Sequence, residues 1–497
     1  MRSQLLLQTR AALRGSKRCR NATLYSGLRW LSTETRQFST PLAKQLHEAI
    51  TATGPIPLAS FMRMCLTSDV GGYYTSKQEG RDQFGKRGDF ITSPEISQTF
   101  GELVGVWFVT EWLSQGRAKE INGLNLIEMG PGRGTLMADI LRTLTIFKPL
   151  VRRVEAVYMV EASPALRDAQ KELLCGKNKM NEIDIGYRCI SQYANIPIIW
   201  TENIKDVPSV AHEFFDALPI HAFQSVPPNP NATEPNTIQT PTGTHQLSPS
   251  AKSSIAKTPQ WREMVVSPAP PDSTHTTLGT PKSLQSSSAV PEFQLTLSHA
   301  STPHSLYLPE ISPRYKALKN TPGSLIEISP ESHTIVSEFA TRIGGSPQNP
   351  RPKPSGAALI LDYGPSDTIP TNSLRGIKAH KAVSPLSEPG LVDLSADVDF
   401  MALAEAAMNA SEGVEVHGPL QQGDWLEMMG IRKRGEALVE GLMFEEDRKR
   451  IEGGWKRLID RGVDGMGKVY KVMAILPENG GKRRPAGFGG DAEEVEG

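Results

Sequence analysis

Leu126-Ile127-Glu128-Met129-Gly130-Pro131-Gly132-Arg133-Gly134-Thr135 is the stretch on which the reading of this 497-residue chain turns. An apolar run, Leu124–Met129, stops at glycines, and apolar residues resume at helical spacing over Leu136–Leu144. This predicts a buried strand, a tight turn and a helix. Glycines in such a turn let the backbone come close to a ligand. The helix N-terminus behind them presents free N–H groups and partial positive charge. A second strand, Val154–Val160, follows and ends in a carboxylate, Glu161. An acid placed beside the first strand's loop can accept both hydroxyls of a ribose.

The glycine spacing selects among nucleotides. A dinucleotide fingerprint is G-x-G-x-x-G/A; here it is G-x-G-x-G with Thr at 135. No G-x-x-x-x-G-K-[ST] stands at this place, which argues against an ATPase-type phosphate cradle. Glu128, just before the glycines, would repel a pyrophosphate but attract the amino group or sulfonium of S-adenosyl-L-methionine. The expected cofactor is therefore S-adenosyl-L-methionine. Glu128, Gly130, Gly132, Gly134 and Glu161 are the candidate cofactor residues, in the E-x-G-x-G-x-G arrangement of Rossmann-like methyltransferases. A structural glycine turn with a solvated Glu161 is the alternative.

Outward from this loop, Pro41–Met64, Gln98–Leu113 and Pro164–Leu174 have helical spacing, and Ser209–Phe215, Ala357–Leu361 and Lys468–Leu476 are strand candidates. Alternating strands and helices predict a doubly wound α/β sheet. Between residues 226 and 305, Pro, Ser and Thr supply 38 of 80 residues, too polar a mix to offset the entropy of ordering. A mostly disordered insert is expected there, apart from a strand-like island at Trp261–Val266. Gly344–Gly356 and the tail, 478–497, are expected to be flexible as well. The resulting organisation is a leader at 1–40, a helical segment at 41–118 closing over the cofactor, the first part of the core at 119–225, the insert at 226–305, the rest of the core with accessory helices at 306–477, and the tail.

Lys+Arg and Asp+Glu both total 54, which argues against a nucleic-acid-binding coat. No apolar run approaches the ~20 residues of a membrane span. Four cysteines without a C-x-x-C pair argue against a disulfide framework or a zinc-thiolate site, and no metal is expected. Residues 1–40 carry eight Lys/Arg and one acid, Glu34, among leucines, serines and threonines. This is the profile of a mitochondrial transit peptide, pointing to the matrix. Without it the chain has seven more acids than bases.

Longer strings carry a resemblance. Gly88-Asp89-Phe90-Ile91-Thr92-Ser93-Pro94-Glu95-Ile96-Ser97-Gln98-Thr99-Phe100-Gly101-Glu102 precedes the glycine loop, and His212-Glu213-Phe214-Phe215-Asp216-Ala217-Leu218-Pro219 follows it. Glu327-Ile328-Ser329-Pro330, Leu361-Asp362-Tyr363-Gly364 and Asp393-Leu394-Ser395-Ala396-Asp397-Val398-Asp399-Phe400 come later. Together, in order from about Ala43 to Leu476, they resemble the MidA-like family of mitochondrial protein arginine methyltransferases, which act in respiratory complex I assembly. The chain departs from that pattern in its long insert and between the retained Leu374-Arg375, Pro385-Leu386 and Pro389-Gly390.

The resemblance implies a Rossmann-like class I methyltransferase fold and S-adenosyl-L-methionine-dependent methylation of arginine, with symmetric dimethylation suggested by the family. The partner would be a protein substrate, a complex I subunit; a homodimer is left open. The competing reading is a non-catalytic assembly factor with the same fold. Asp89, Thr92, Ser93 and Glu95 are expected to close over the methionine end. Glu213 and Asp216, at the end of an expected strand on the glycine-loop side, are the candidates to orient a guanidinium; capping by Asp216 and a surface Glu213 is the alternative. Asp362 is a weaker candidate, His212 and His380 read as structural, and Trp425 as a core anchor.

Overall fold

The computed structural model describes residues 37–75, 89, 91–116, 123–203, 205, 214–228, 237–240, 243–246, 258–463 and 465–489. The leader up to residue 36, His212, Glu213 and the strand candidate up to residue 213 lie outside the described residues. Residues 38–40, placed with the leader by the sequence, already belong to the folded body. Ser39 N–H donates to Glu292 Oε1 at 3.0 Å, and Thr40 Oγ1 accepts from Ala43 N at 2.9 Å. That cap and Pro41 start helix α1 (Pro41–Thr53), which Gly54 ends with φ 93°. The single helix expected over 41–64 is thus two. Gly54-Pro55 breaks it, and β1 (Ile56–Pro57) leads into α2 (Leu58–Thr67).

Helix α3 (Gln98–Ser114) lies against α4 (Thr135–Leu144) because Gly101 and Gly105 stand one turn apart on the contact. A Cβ at 101 would come 2.5 Å from Asp139 Cβ, so only glycine permits this approach. Between the two helices runs β2 (Leu124–Met129). It pairs in parallel with β3 (Val154–Val160), reached through α4. After α5 (Pro164–Cys175), the hairpin of β4 (Asn181–Ile183) and β5 (Gly186–Ile190) leads to β6 (Pro197–Thr201). The sheet order is β2-β3-β6-β5-β4, parallel across β2, β3 and β6 and antiparallel beyond.

Of the strand expected at Ser209–Phe215 only Phe214 and Phe215 are described; neither is in a strand, and they lead into a turn at Asp216-Ala217, while strand β7 is His221–Val226. It belongs to an antiparallel sheet with β8 (Gln260–Pro268), β9 (Phe293–Leu297) and β10 (Leu325–Ile328), in which β1 is an edge. Two of these strands come from the Pro/Ser/Thr-rich stretch. The strand-like island expected at Trp261–Val266 lies within β8, and the expectation of disorder is corrected for the rest of residues 258–305. The reason is apolar: Trp261, Val265, Val266 and Phe293 are buried, and the island docks them on β7. Residues 229–236, 241–242 and 247–257 lie outside the described residues.

Helix α6 (Pro330–Gly344) leads to a two-residue ladder at 345–350, where the sequence suggested flexibility, and then to β11 (Ala358–Tyr363). A small sheet, β12 (Arg375–Lys378), β13 (Lys381–Val383) and β14 (Asp393–Ser395), closes one side of the cleft described below. Helix α7 (Phe400–Ala410), β15 (Val414–Gln421), helices α8 (Gln422–Met428), α9 (Ile431–Glu440) and α10 (Glu445–Ile459), and β16 (Tyr470–Pro477) complete the chain. Strands β11, β16 and β15 pair antiparallel.

Alternation along the strands divides the core into two layers. Leu126, Leu359, Leu361, Val472 and Ala474 face one layer, with Trp107, Trp200 and Trp425. Ile127, Met129, Ala358, Ile360, Met473 and Ile475 face the other, with Phe339 and Phe400. Strands β2, β11 and β16 therefore share the same two faces. The expected disordered tail is corrected up to residue 489. Arg483 pairs with buried Glu111 at 2.9 Å, Trp107 Nε1–H donates to Ala486 O at 3.1 Å, and Phe488 is buried in the first layer.

Candidate active site

The glycine loop is built as its sequence requires. Gly130, Gly132 and Gly134 have φ of 57°, 52° and 82°, left-handed values that β-carbon-bearing residues resist. Gly130 N–H donates to Val160 O at 3.1 Å, which ties the loop to the end of β3. At Gly130 a Cβ would lie 3.0 Å from the Phe214 ring. The loop opens onto a cavity of about 930 Å³, room for a nucleoside cofactor together with a target side chain.

Two acids of β2 and β3 reach this cavity. Glu161 Oε1 accepts from Ser163 N at 2.7 Å and Oε2 from Gln170 Nε2 at 3.0 Å. Gln170 also donates to Gly132 O at 2.7 Å and accepts from Trp200 Nε1 at 2.9 Å. One amide thus holds both the loop and the acid, a positioning role that sequence reading missed because Gln170 shows no motif. Burial lifts the Glu161 carboxyl to about 7 despite those donors, on the order of 3 kcal/mol against ionisation. Glu128 is buried, and burial followed by the Glu161 charge pushes its carboxyl well above the usual range. Its Oε2 has no hydrogen-bond partner among the described residues. An orphaned acid oxygen beside a glycine cradle matches the ammonium or sulfonium of an S-adenosyl-L-methionine molecule, and Glu161 matches its ribose.

The N-terminal motif divides. Thr92 and Glu95 line the cavity; Glu95 Oε2 accepts from Thr92 N at 3.4 Å, and Glu95 Oε1 lies 3.8 Å from Arg133 Nε. Ser93 and Asp89 are placed elsewhere. Ser93 Oγ donates to Gln422 Oε1 at 3.3 Å. The Asp89 carboxylate accepts from Tyr73 OH and from Ala379 N, both at 2.7 Å. Asp89 thereby clamps the turn between β12 and β13, and His380 N–H donates to its carbonyl at 2.9 Å.

Across the cavity, Asp216 accepts from Tyr363 OH at 2.5 Å, and burial raises its carboxyl. Asp362 lies beneath it, fully buried. Its Oδ2 accepts from the amides of Phe214, Phe215 and Asp216 at 3.2, 2.9 and 3.3 Å, so it shapes the turn that carries Asp216. Asp393 faces the same space, held by Tyr74 OH at 2.9 Å; burial and then the Asp216 charge lift it to about 8. Arg375 lies 4.4 Å over the Tyr363 ring and pairs with Asp397 at 2.7 Å. The wall thus offers the carboxyl oxygens of Asp216 and Asp393 and the hydroxyls of Tyr74 and Tyr363 as partners for a planar N–H donor, with Arg375 neutralised by Asp397. Sequence reasoning does not single out Tyr74, Arg375, Asp393 and Asp397 as site residues, although Asp393–Phe400 and Leu374-Arg375 belong to the strings that carry the family resemblance.

Residues 103–420 match the model of a family of S-adenosyl-L-methionine-dependent methyltransferases. "Protein arginine methyltransferase NDUFAF7, mitochondrial" of Xenopus tropicalis is 33% identical over 90% of this chain and 89% of its own length. The chain belongs to this methyltransferase family. The Drosophila melanogaster homolog is 35% identical (88% and 85% covered), and the Homo sapiens protein of the same name is 32% identical (88% and 84% covered). The resemblance to the MidA-like arginine methyltransferases is thereby shown. A crystal structure from Burkholderia thailandensis bound to S-adenosyl-homocysteine has the same fold. It is 20% identical, covers 90% of this chain and 92% of its own, and has a TM-score of 0.58. The chain is a methyltransferase of this family, with S-adenosyl-L-methionine as its cofactor; Glu128, the three glycines and Glu161 are the candidates to hold it.

The raised Glu161 carboxyl has a pH consequence. A ribose is accepted by the ionised carboxylate, so cofactor affinity should rise from pH 6 to pH 8, through about 7. Glu161→Gln should lower the affinity by roughly tenfold or more and flatten that dependence, as calorimetry at several pH values would show. The stability of the empty protein should move oppositely. A carboxyl whose folded pKa exceeds its unfolded value loses stability as pH rises through the folded value.

Proposed function

We propose that this chain is a protein arginine N-methyltransferase of the mitochondrial matrix that modifies a complex I subunit, with symmetric dimethylation as the product. The observation that carries the arginine reading is the wall formed by Asp216, Asp393, Tyr74 and Tyr363, facing the glycine loop across one cavity. The relatives named protein arginine methyltransferase, mitochondrial, support the substrate class and the compartment. The leader's composition supports the matrix.

S-adenosyl-L-methionine supplies an electrophilic methyl group on its sulfonium. The protein's part is orientation and charge. A guanidinium, with a pKa above 12, attacks poorly until its plane is fixed and its positive charge is drawn from one nitrogen. Asp216, held by Tyr363, and Asp393, held by Tyr74, accept its N–H groups and do both. As the nitrogen–methyl bond forms and the carbon–sulfur bond breaks, the nitrogen loses a proton, for which the Asp216 carboxylate is the adjacent acceptor. Glu213, in the same stretch of sequence, is retained as a second candidate for orienting the substrate.

The test is incubation of the purified chain with methyl-labelled cofactor and matrix extract, followed by peptide mass spectrometry. The expected result is label on arginine of a complex I subunit. Label on lysine or on RNA alone would reject the arginine reading. Binding of the cofactor without any turnover would favour the assembly-factor alternative.

A further inference from the structure

Strand pairing brings a second set of polar side chains together behind the cavity wall. Glu263 of β8 is opposite Phe223 of β7, and His221 is two residues from Phe223 on the same strand. Glu263 and His221 are therefore diagonal neighbours on one face. His304, in the short helix Pro303–Tyr307, closes the group. His221 Nδ1 lies 2.7 Å and His304 Nδ1 3.4 Å from the same oxygen, Glu263 Oε1. The three ligand atoms lie within 4.8 Å of one another, and the two imidazole centroids are 4.2 Å apart.

We propose that His221, Glu263 and His304 form a binding site for one divalent transition-metal ion, of which zinc is the best fit. Two imidazoles and one carboxylate are a zinc donor set. In a tetrahedral zinc site the ligand atoms stand about 3.3 Å apart; the two oxygen–nitrogen separations here, 2.7 and 3.4 Å, bracket that value. One carboxylate oxygen faces two ring nitrogens; a cation satisfies all three at once, whereas without it each nitrogen must carry a proton aimed at that oxygen.

The surroundings support this reading. Thr302 Oγ1–H donates to the other oxygen, Glu263 Oε2, at 2.5 Å, the outer hydrogen bond that orients a ligating carboxylate. Glu263 and His221 are buried, while His304 is half-exposed, leaving an open side for a water ligand and for entry of the ion. Glu331, whose charge acts on His304, has a buried oxygen without a hydrogen-bond partner among the described residues. The site would staple both ends of the folded part of the insert, Glu263 and His304, to β7. Leu218 and Pro219, just before β7, line the active-site cavity, so the ion would stiffen that wall. This inference does not depend on the nature of the methyl acceptor.

The test is calorimetric titration of zinc into the full chain after dialysis against a chelator, with thermal denaturation in parallel. Wild type should take up one equivalent of zinc and unfold at a higher temperature with it; magnesium should do neither. His304→Ala, at a half-exposed position that tolerates truncation, and His221→Ala should each weaken binding roughly tenfold or more and lose the thermal gain. No uptake by wild type at micromolar zinc would overturn the proposal. So would zinc bound equally well by wild type and a folded His304→Ala chain, since the metal would then sit elsewhere.

Discussion

Gly132→Val should reduce S-adenosyl-L-methionine affinity by about 100-fold or more, measured by calorimetry on the purified protein. Gly132 has φ 52°, and valine, branched at Cβ, resists that conformation. Its carbonyl is held by Gln170, so the loop cannot flip without releasing the amide that also holds Glu161. The backbone strain is of order 1–3 kcal/mol; the methyl groups block close approach of a ligand besides. A hundredfold loss corresponds to about 2.7 kcal/mol, within the sum of the two effects. The thermal transition of the cofactor-free variant should shift by only a few degrees, because the loop lies at the cavity rather than within either core layer. Near-normal binding by Gly132→Val would mean that the cofactor does not lie on this loop.

The second large effect is expected at Asp216→Asn. The asparagine is nearly isosteric, and its amide can still accept from Tyr363 OH, so cofactor affinity should stay within about twofold. It cannot take a charge-assisted bond from a guanidinium or receive its proton. Hydrogen bonds to charged groups contribute about 1.5–3 kcal/mol, and proton transfer contributes roughly 100-fold or more. Turnover on the arginine substrate should therefore fall by about 100-fold or more, in kcat as well as in kcat/KM. Asp393, lifted to about 8 by burial and by Asp216, gives an internal check. Removing the Asp216 charge should lower the Asp393 pKa and move the pH profile of the residual activity towards acid. Unchanged methylation by Asp216→Asn would remove Asp216 from the mechanism and leave the substrate-orienting role to other groups.

Structure and sequence agree best where the signal is local. Strands Leu124–Met129 and Val154–Val160 have the same bounds in both, because a short apolar run ending in glycine or a carboxylate has little alternative. The glycine loop and the two candidate cofactor acids beside it are legible for the same reason. In the insert the Trp261–Val266 island is legible and the ordered residues around it are not, because composition averages over a window. A few apolar residues, Trp261, Val265, Val266 and Phe293, suffice to bind such a stretch to a sheet edge. Asp89 and Ser93 were grouped with Thr92 and Glu95 by adjacency in a motif. The fold turns their side chains to other partners, Tyr73 and Gln422.

By itself the sequence determined that a strand–glycine turn–helix unit with acids at Glu128 and Glu161 exists, hence the class of cofactor. These features depend on contiguous residues and on backbone conformations that only glycine readily adopts. Tertiary structure alone decided what faces that loop. Tyr74, Asp216 and the stretch that holds Tyr363, Arg375 and Asp393 are each more than 100 residues apart in the chain, and His221, Glu263 and His304 come from three separate elements. No periodicity in a linear chain encodes which of its distant carboxylates will share one buried space; that follows only when the apolar faces of several sheets and helices have packed.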